Sequence, residues 1–164
     1  MASARSRSAV VTLPADEQIL ITRDFDAPPH LVFRAWTEPE LVRRWWHARR
    51  GEMTVCDIDL RPGGTWRYAM TANGGFEVAF HGEYREVVPG ERIVSTEVFE
   101  GMPDAPALTT TTFSERDGGG TTVAILVQHT TREHRDAHVQ SGMEDGLQDA
   151  MDLVDELLRS LGEG

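Results

Sequence analysis

The chain is 164 residues long, 40% of them hydrophobic, with a formal net charge of −11. That length and composition suit one compact domain with its own core and no need of disulfide staples. An isoelectric point near 4.9 argues against nucleic acid or anionic membrane held through a general field, and no run of about 18 apolar residues is present to span a bilayer.

The first stretch, residues 1–15, carries Arg5 and Arg7 among small residues and has no apolar segment beyond Ala9-Val10-Val11. A disordered N-terminal tail is expected there, not a signal peptide. Gln18–Asp26 has a β-branched centre around Ile19 and Ile21, with Phe25 beyond, and reads as a first strand. Pro28 and Pro29 suit the opening of a helix whose apolar face is Leu31, Val32, Ala35 and Trp36. Thr37-Glu38-Pro39 breaks it and starts a second short helix through Leu41, Val42 and Trp45. Adjacent residues cannot both face inward on a helix, so Trp45 is assigned to the core and Trp46, with His47, either to a lip at the mouth of a cavity or to a partly exposed surface pair.

Six more strands follow from turn chemistry. The breaks are Arg61-Pro62-Gly63-Gly64, Asn73-Gly74-Gly75, Pro89-Gly90, residues 101–106, and Asp117-Gly118-Gly119-Gly120. Pro-Gly fits a type II turn and Asn-Gly a primed hairpin. Between them Trp66, Tyr68 and Met70 alternate with polar or small residues, as do Phe76, Val78, Phe80 and Tyr84, then Val123, Ile125 and Val127. Short connections require antiparallel neighbours, giving one sheet with an apolar face. The only cysteine, Cys56, sits in an apolar strand pattern and reads as a buried, inert thiol. It excludes an intrachain disulfide and fits a reducing cytoplasm, the expected location.

The last stretch, residues 130–162, reads as one long amphipathic helix. Val139, Met143, Leu147, Ala150, Met151, Val154, Leu157, Leu158 and Leu161 fall on one side and Glu144, Asp145, Asp149, Asp152, Asp155 and Glu156 on the other, a solvated face. Thr130 three residues before Glu133 has capping-box spacing, and Gly162 suits a left-handed cap. Gly142 and Gly146 lie at the edge of the apolar stripe, each at a cost of about 1 kcal/mol relative to Ala. Either the helix is thinned over a cavity or it packs closely on the sheet. The class is α+β, in the order β-α-α-β6-α, a curved antiparallel sheet wrapped around the terminal helix.

A cavity between sheet and helix takes Trp46, Trp66, Tyr68, Met70, Phe80, Tyr84 and Phe113 as walls, and Gly142, Met143, Gly146 and Leu147 as roof. His134 and His138 share a helix face at metal-ligand spacing, but without a His-Glu-x-x-His pattern they read as solvated and no metal is expected. Asp59, His81, Glu83, Glu97 and His129 alternate with apolar neighbours, so most point outward and no catalytic residue is assigned. The weak exceptions are His129, on the parity of Val127, and His81 or Glu83 if a bulge near Gly82 inverts the alternation. Ser95 and Ser114 lack a nucleophile motif, and residues 118–120 make a hairpin, not a phosphate loop.

The segments Asp24-Phe25-Asp26-Ala27-Pro28, Val32-Phe33-Arg34-Ala35-Trp36-Thr37, Trp45-Trp46, Asp59-Leu60-Arg61-Pro62-Gly63-Gly64, Gly82-Glu83-Tyr84-Arg85-Glu86-Val87 and Pro89-Gly90-Glu91-Arg92-Ile93-Val94, in this order, resemble the activator of Hsp90 ATPase homologue-like family of the START-like (SRPBCC, Bet v 1-like) superfamily. The resemblance covers residues 17 to 161 and implies the helix-grip fold over a domain of residues 16–162. It also implies a deep apolar cavity, used by different members for lipids, polyketides and other apolar ligands and by some for catalysis. Fold alone does not fix which. Many relatives carry a Trp directly after the glycine aligned with Gly146; here Leu147 follows, which alters the cavity. In the eukaryotic co-chaperones the domain is joined to another for which this chain has no room, so direct Hsp90 binding is not expected. The expected partner is a small hydrophobic molecule bound without cofactor and without turnover. An enzyme of cyclase, dehydratase or hydrolase type and a chaperone-assisting interaction module are the alternatives. A homodimer is left open, and neither nucleic-acid binding nor membrane insertion is expected.

Overall fold

A computed structural model describes residues 9–163. Its strands are β1 (Val10–Thr12), β2 (Gln18–Phe25), β3 (Gly51–Ile58), β4 (Thr65–Ala72), β5 (Glu77–Val88), β6 (Arg92–Phe99), β7 (Ala107–Glu115) and β8 (Thr121–His129). They form one antiparallel sheet in the order β1-β2-β8-β7-β6-β5-β4-β3. Helices α1 (Pro29–Thr37) and α2 (Pro39–Val42) carry the chain from β2 to the far edge at β3, and α3 (Arg132–Gln140) and α4 (Met143–Glu163) close the domain. The six strands β3 to β8 are joined by the turns anticipated above. Gly90, at φ 75°, occupies the left-handed position of the Pro89-Gly90 turn, closed by the Glu91 N–H donating to the Val88 carbonyl at 2.9 Å. The Asn73-Gly74-Gly75 turn is not the primed hairpin expected: only Gly75, at φ 89°, is left-handed.

The parity of β2 puts Ile19, Ile21, Arg23 and Phe25 on the buried face. Arg23 is the irregularity in that strand. Its guanidinium lies 5.0 Å from the Phe25 ring centroid, and Nη1 donates to Asp152 Oδ1 at 3.4 Å, so Asp152 is not a purely solvated member of the helix. The densest packing lies where the C-terminal half of α4 meets β2, β8 and α1. There Ile19, Phe25, Val32, Val123 and Val154 are each no more than 1% exposed. Thr121, also fully buried, donates its hydroxyl to the Ala27 carbonyl at 2.6 Å and ties β8 to the start of the helical crossover.

Three expectations are corrected. Within the supposed tail of residues 1–15, Val10–Thr12 pair with Leu20–Thr22 as an edge strand and Ala9 is buried, because the apolar Ala9-Val10-Val11 finds an open strand edge. Residues 1–8 lie outside the described residues. The terminal helix is two helices. Gly142, at φ 84°, is left-handed and ends the first at Ser141, so this glycine breaks the helix and does not thin it. The caps shift accordingly. Thr131, not Thr130, accepts from the His134 backbone N–H at 3.0 Å, while Gly162 lies inside α4, which runs to Glu163.

Candidate functional site

Under the first half of α4 the packing opens into a cavity of about 540 Å³. Inward parity on β4 supplies Trp66, Tyr68 and Met70, and on β5 Val78, Phe80 and Tyr84. Trp46, in the turn after α2, closes a side through edge-to-face contacts with Tyr68 at 5.4 Å and Phe80 at 5.7 Å. Gly142, Met143, Gly146 and Leu147 form the roof, with Ala150 and Met151 behind them. A Cβ on Gly146 would meet nothing nearer than the Arg50 side chain at 3.7 Å, and no strand comes as close. The glycine therefore leaves room over the cavity and is not there for close helix-to-sheet packing. At the mouth the backbone turns left-handed at Ala48 (φ 53°) and Arg49 (φ 62°), and Arg50 Nη1 reaches both the Ala48 carbonyl and Asp149 at 2.7 Å.

Phe113 is the one expected wall residue outside the cavity. It packs edge to face with Phe33 at 5.3 Å and Trp36 at 5.9 Å, because the end of β7 lies under α1 and not under α4. His81 and Glu83 point to the outer face. The register shift falls between Tyr84 and Glu86, beyond both, so the alternation at Gly82 is not inverted. There His81 Nδ1 lies 2.9 Å from Glu100, whose bidentate pair with Arg67, helped by His81, pulls its carboxyl down to about 2. Glu83 faces Arg85 at 3.4 Å. Cys56 is buried with its thiol pushed up to about 11 by desolvation, an inert group.

Glu97 reverses the expectation made of it. Ile93, Ser95 and Glu97 share the inward parity of β6, and the valines at 94 and 98 take the outer face, so the carboxyl lines the cavity. The signal lies in Ile93 and Phe99, which are in phase with Glu97 along the strand. One carboxyl oxygen accepts from Thr109 Oγ at 3.1 Å, its sole hydrogen bond among the described residues. Desolvation raises its pKa and the Thr109 hydroxyl offsets only part of that. Tyr68 and Tyr84 line the same space, and burial holds both phenols above their ordinary range.

A family model described as "Activator of Hsp90 ATPase homolog 1-like protein" matches residues 26–159. The chain belongs to this family. Among solved structures, a Rhodobacter sphaeroides protein is 26% identical, with 93% of this chain covering 99% of that one at a TM-score of 0.86. A Nitrosomonas europaea protein is 25% identical, covering 93% and 100% at 0.82, and a Chromobacterium violaceum protein 28% identical, covering 88% and 98% at 0.76. No curated protein matches the sequence. The sheet and terminal helix are thus those of the helix-grip fold. Among the described residues, no helix is long and apolar enough to cross a membrane.

At one end of the cavity His138 turns inward, contrary to the solvated reading, because the break at Gly142 gives α3 a buried face of its own. Its Nδ1 lies 3.0 Å from Nε2 of His129, whose parity with Val127 buries it behind His138; His129 Nδ1 has no partner among the described residues. His134, on the same helix, stays at the surface against the Thr130 hydroxyl at 3.2 Å. No cluster of metal-ligating residues occurs among those described. Desolvation, then the charges of His138, His134 and Arg135, lowers His129 to about 4, and desolvation lowers His138 as well. Unfolded imidazoles titrate near ~6.5, so the unfolded chain takes up these protons first. The pair's contribution is intact above that pH and is lost as pH falls towards 4. Melting temperature measured between these limits should fall more steeply for wild type than for His129→Asn; parallel curves would contradict the assignment.

Proposed function

We propose that this chain binds a small, largely hydrophobic molecule in the cavity between β4–β8 and the first half of α4, without a cofactor. One observation carries the reading: some 540 Å³ of space lined mainly by aromatic and aliphatic side chains, beneath a helix that places a glycine, Gly146, in the roof. Sites of this size and lining are typical of small-molecule binding, and the helix-grip family commonly serves as a ligand scaffold. Gly146→Leu fills the roof from a position where the backbone is helical and unstrained. We expect micromolar binding of an environment-sensitive apolar probe to wild type and at least tenfold weaker binding to a folded Gly146→Leu variant, roughly the loss of 1.4 kcal/mol. Equal binding to both would remove the cavity as the site.

A second reading, an enzyme acting on the same class of molecule, is supported by the juxtaposition of Glu97 with Tyr68 and Tyr84. A carboxyl whose pKa is raised by burial inside a cavity suits general acid–base work. The earlier candidates His81 and Glu83 play no part in it, since they face away. If wild type consumes a compound from a host metabolite extract that Glu97→Gln leaves untouched, the enzyme reading takes precedence over the carrier.

A further inference from the structure

We propose that the molecule this cavity selects is a hydrophobic amine, bound as its ammonium ion between the Glu97 carboxylate and the aromatic wall. The inference rests on the cavity being the binding site and adds the chemical class of its occupant. Among the described residues Glu97 is the only acidic one lining the space, and one hydroxyl, that of Thr109, is its whole hydrogen-bonding complement. A carboxyl partly withdrawn from water is costly to ionise alone, and no donor among the described residues reaches its second oxygen. The lining cation, Arg50, is already matched by Asp149 at 2.7 Å. What the site lacks is therefore a positively charged donor brought from outside.

The walls favour the same chemistry. Trp66 and Tyr68 are packed at 4.8 Å between centroids and Trp46 stands edge-on to Tyr68 at 5.4 Å, so indole and phenol rings crowd the same enclosure as the carboxyl. Ring faces attract an ammonium by their quadrupole, most strongly for Trp, and do so more strongly where water is excluded. A charge-assisted hydrogen bond to Glu97 adds to that attraction, and the apolar remainder of the ligand fills the space towards Met143, Leu147 and Met151. A fatty acid would place a second carboxyl beside Glu97. An alcohol would satisfy one oxygen but gain nothing from the rings. The net charge of −11 favours the approach of a cation to the domain.

The test is calorimetric titration of wild type and Glu97→Gln at pH 7 with octylamine, octanol and octanoate, three probes with the same tail. We expect octylamine to bind wild type about tenfold more tightly than octanol, with octanoate weakest, the size of one buried cation–π and ion-pair contribution. Glu97→Gln should abolish the preference for the amine and leave octanol within about twofold. The wild-type ranking by itself decides the matter if the variant does not fold. Octanoate or octanol binding wild type as tightly as octylamine would overturn the inference while leaving the cavity reading intact, as would retention of the amine preference by Glu97→Gln. Failure of all three probes to bind would overturn both.

Discussion

Val154→Asp should lower the melting temperature by about 8–16 °C, whereas Glu144→Ala should move it by no more than about 2 °C. Val154 is wholly inaccessible and packs in the densest part of the core, where α4 meets β2, β8 and α1. A carboxylate there would have no partner, and the protein would either hold an unpaired ion against apolar side chains or part the helix from the sheet. Either route costs about 4 kcal/mol. Glu144, in the first turn of α4, is exposed and serves as the control. Asp152 does not, although it occupies the same outer side of the helical wheel. Removing its carboxylate would deprive the buried Arg23 guanidinium of the one acidic side chain it meets at 3.4 Å. Similar melting temperatures for Val154→Asp and Glu144→Ala would refute the orientation of α4.

Gly82→Ala should be nearly as damaging, by a different physical route. Gly82 has no left-handed backbone to explain it, but an ideal Cβ there would stand 1.8 Å from the Thr96 carbonyl oxygen and 2.6 Å from Trp66 Nε1. Trp66 lies across the glycine and donates its indole N–H to that same carbonyl at 3.2 Å, and the Glu83 backbone N–H donates to Thr96 Oγ at 2.8 Å. Any side chain must push β5 from β6 or evict the indole. Overpacking with loss of a buried hydrogen bond costs about 3–5 kcal/mol, or about 6–20 °C in melting temperature. Gly90→Ala is the useful comparison. Gly90 has open space around it and only its φ of 75° to defend, a penalty of about 1 kcal/mol. A Gly82→Ala protein that melts within about 2 °C of wild type with unchanged tryptophan emission would mean that the indole does not need this glycine.

Much of the architecture could be read before any coordinates because local chemistry and global pattern agree. Pro28 and Pro29 open α1, the Gly- and Pro-containing turns separate β3 to β8, and the period of Ala150, Met151, Val154, Leu157 and Leu158 defines the buried face of α4. What the local pattern does not carry is placement set by long-range packing. Arg23 and Glu97 sit on inward parities because strand geometry forces every second residue to one face, and each finds partial compensation there, Arg23 from Phe25 and Asp152 and Glu97 from Thr109. His138 was misplaced because a glycine at the edge of an apolar stripe looks the same in sequence whether it thins a helix or ends one. Phe113 was misplaced because parity says which face a side chain takes, not whether α1 or α4 lies above it.

The uneven burial along α4 has a kinetic meaning. From Ala150 onward the helix presents buried side chains to the core, while Met143 and Leu147 are only half-buried over the cavity and the chain just before them turns through left-handed Gly142. Releasing the first turn of α4 therefore exposes little apolar surface, and it need not disturb the contacts around Val154 that hold the domain together. In the proposed carrier, an occupant would enter or leave by sub-global opening of that turn, with Gly142, Gly146 and the Arg50–Asp149 pair at 2.7 Å setting its residence time. On that reading, exchange of the occupant and unfolding of the protein would be separate events on separate clocks.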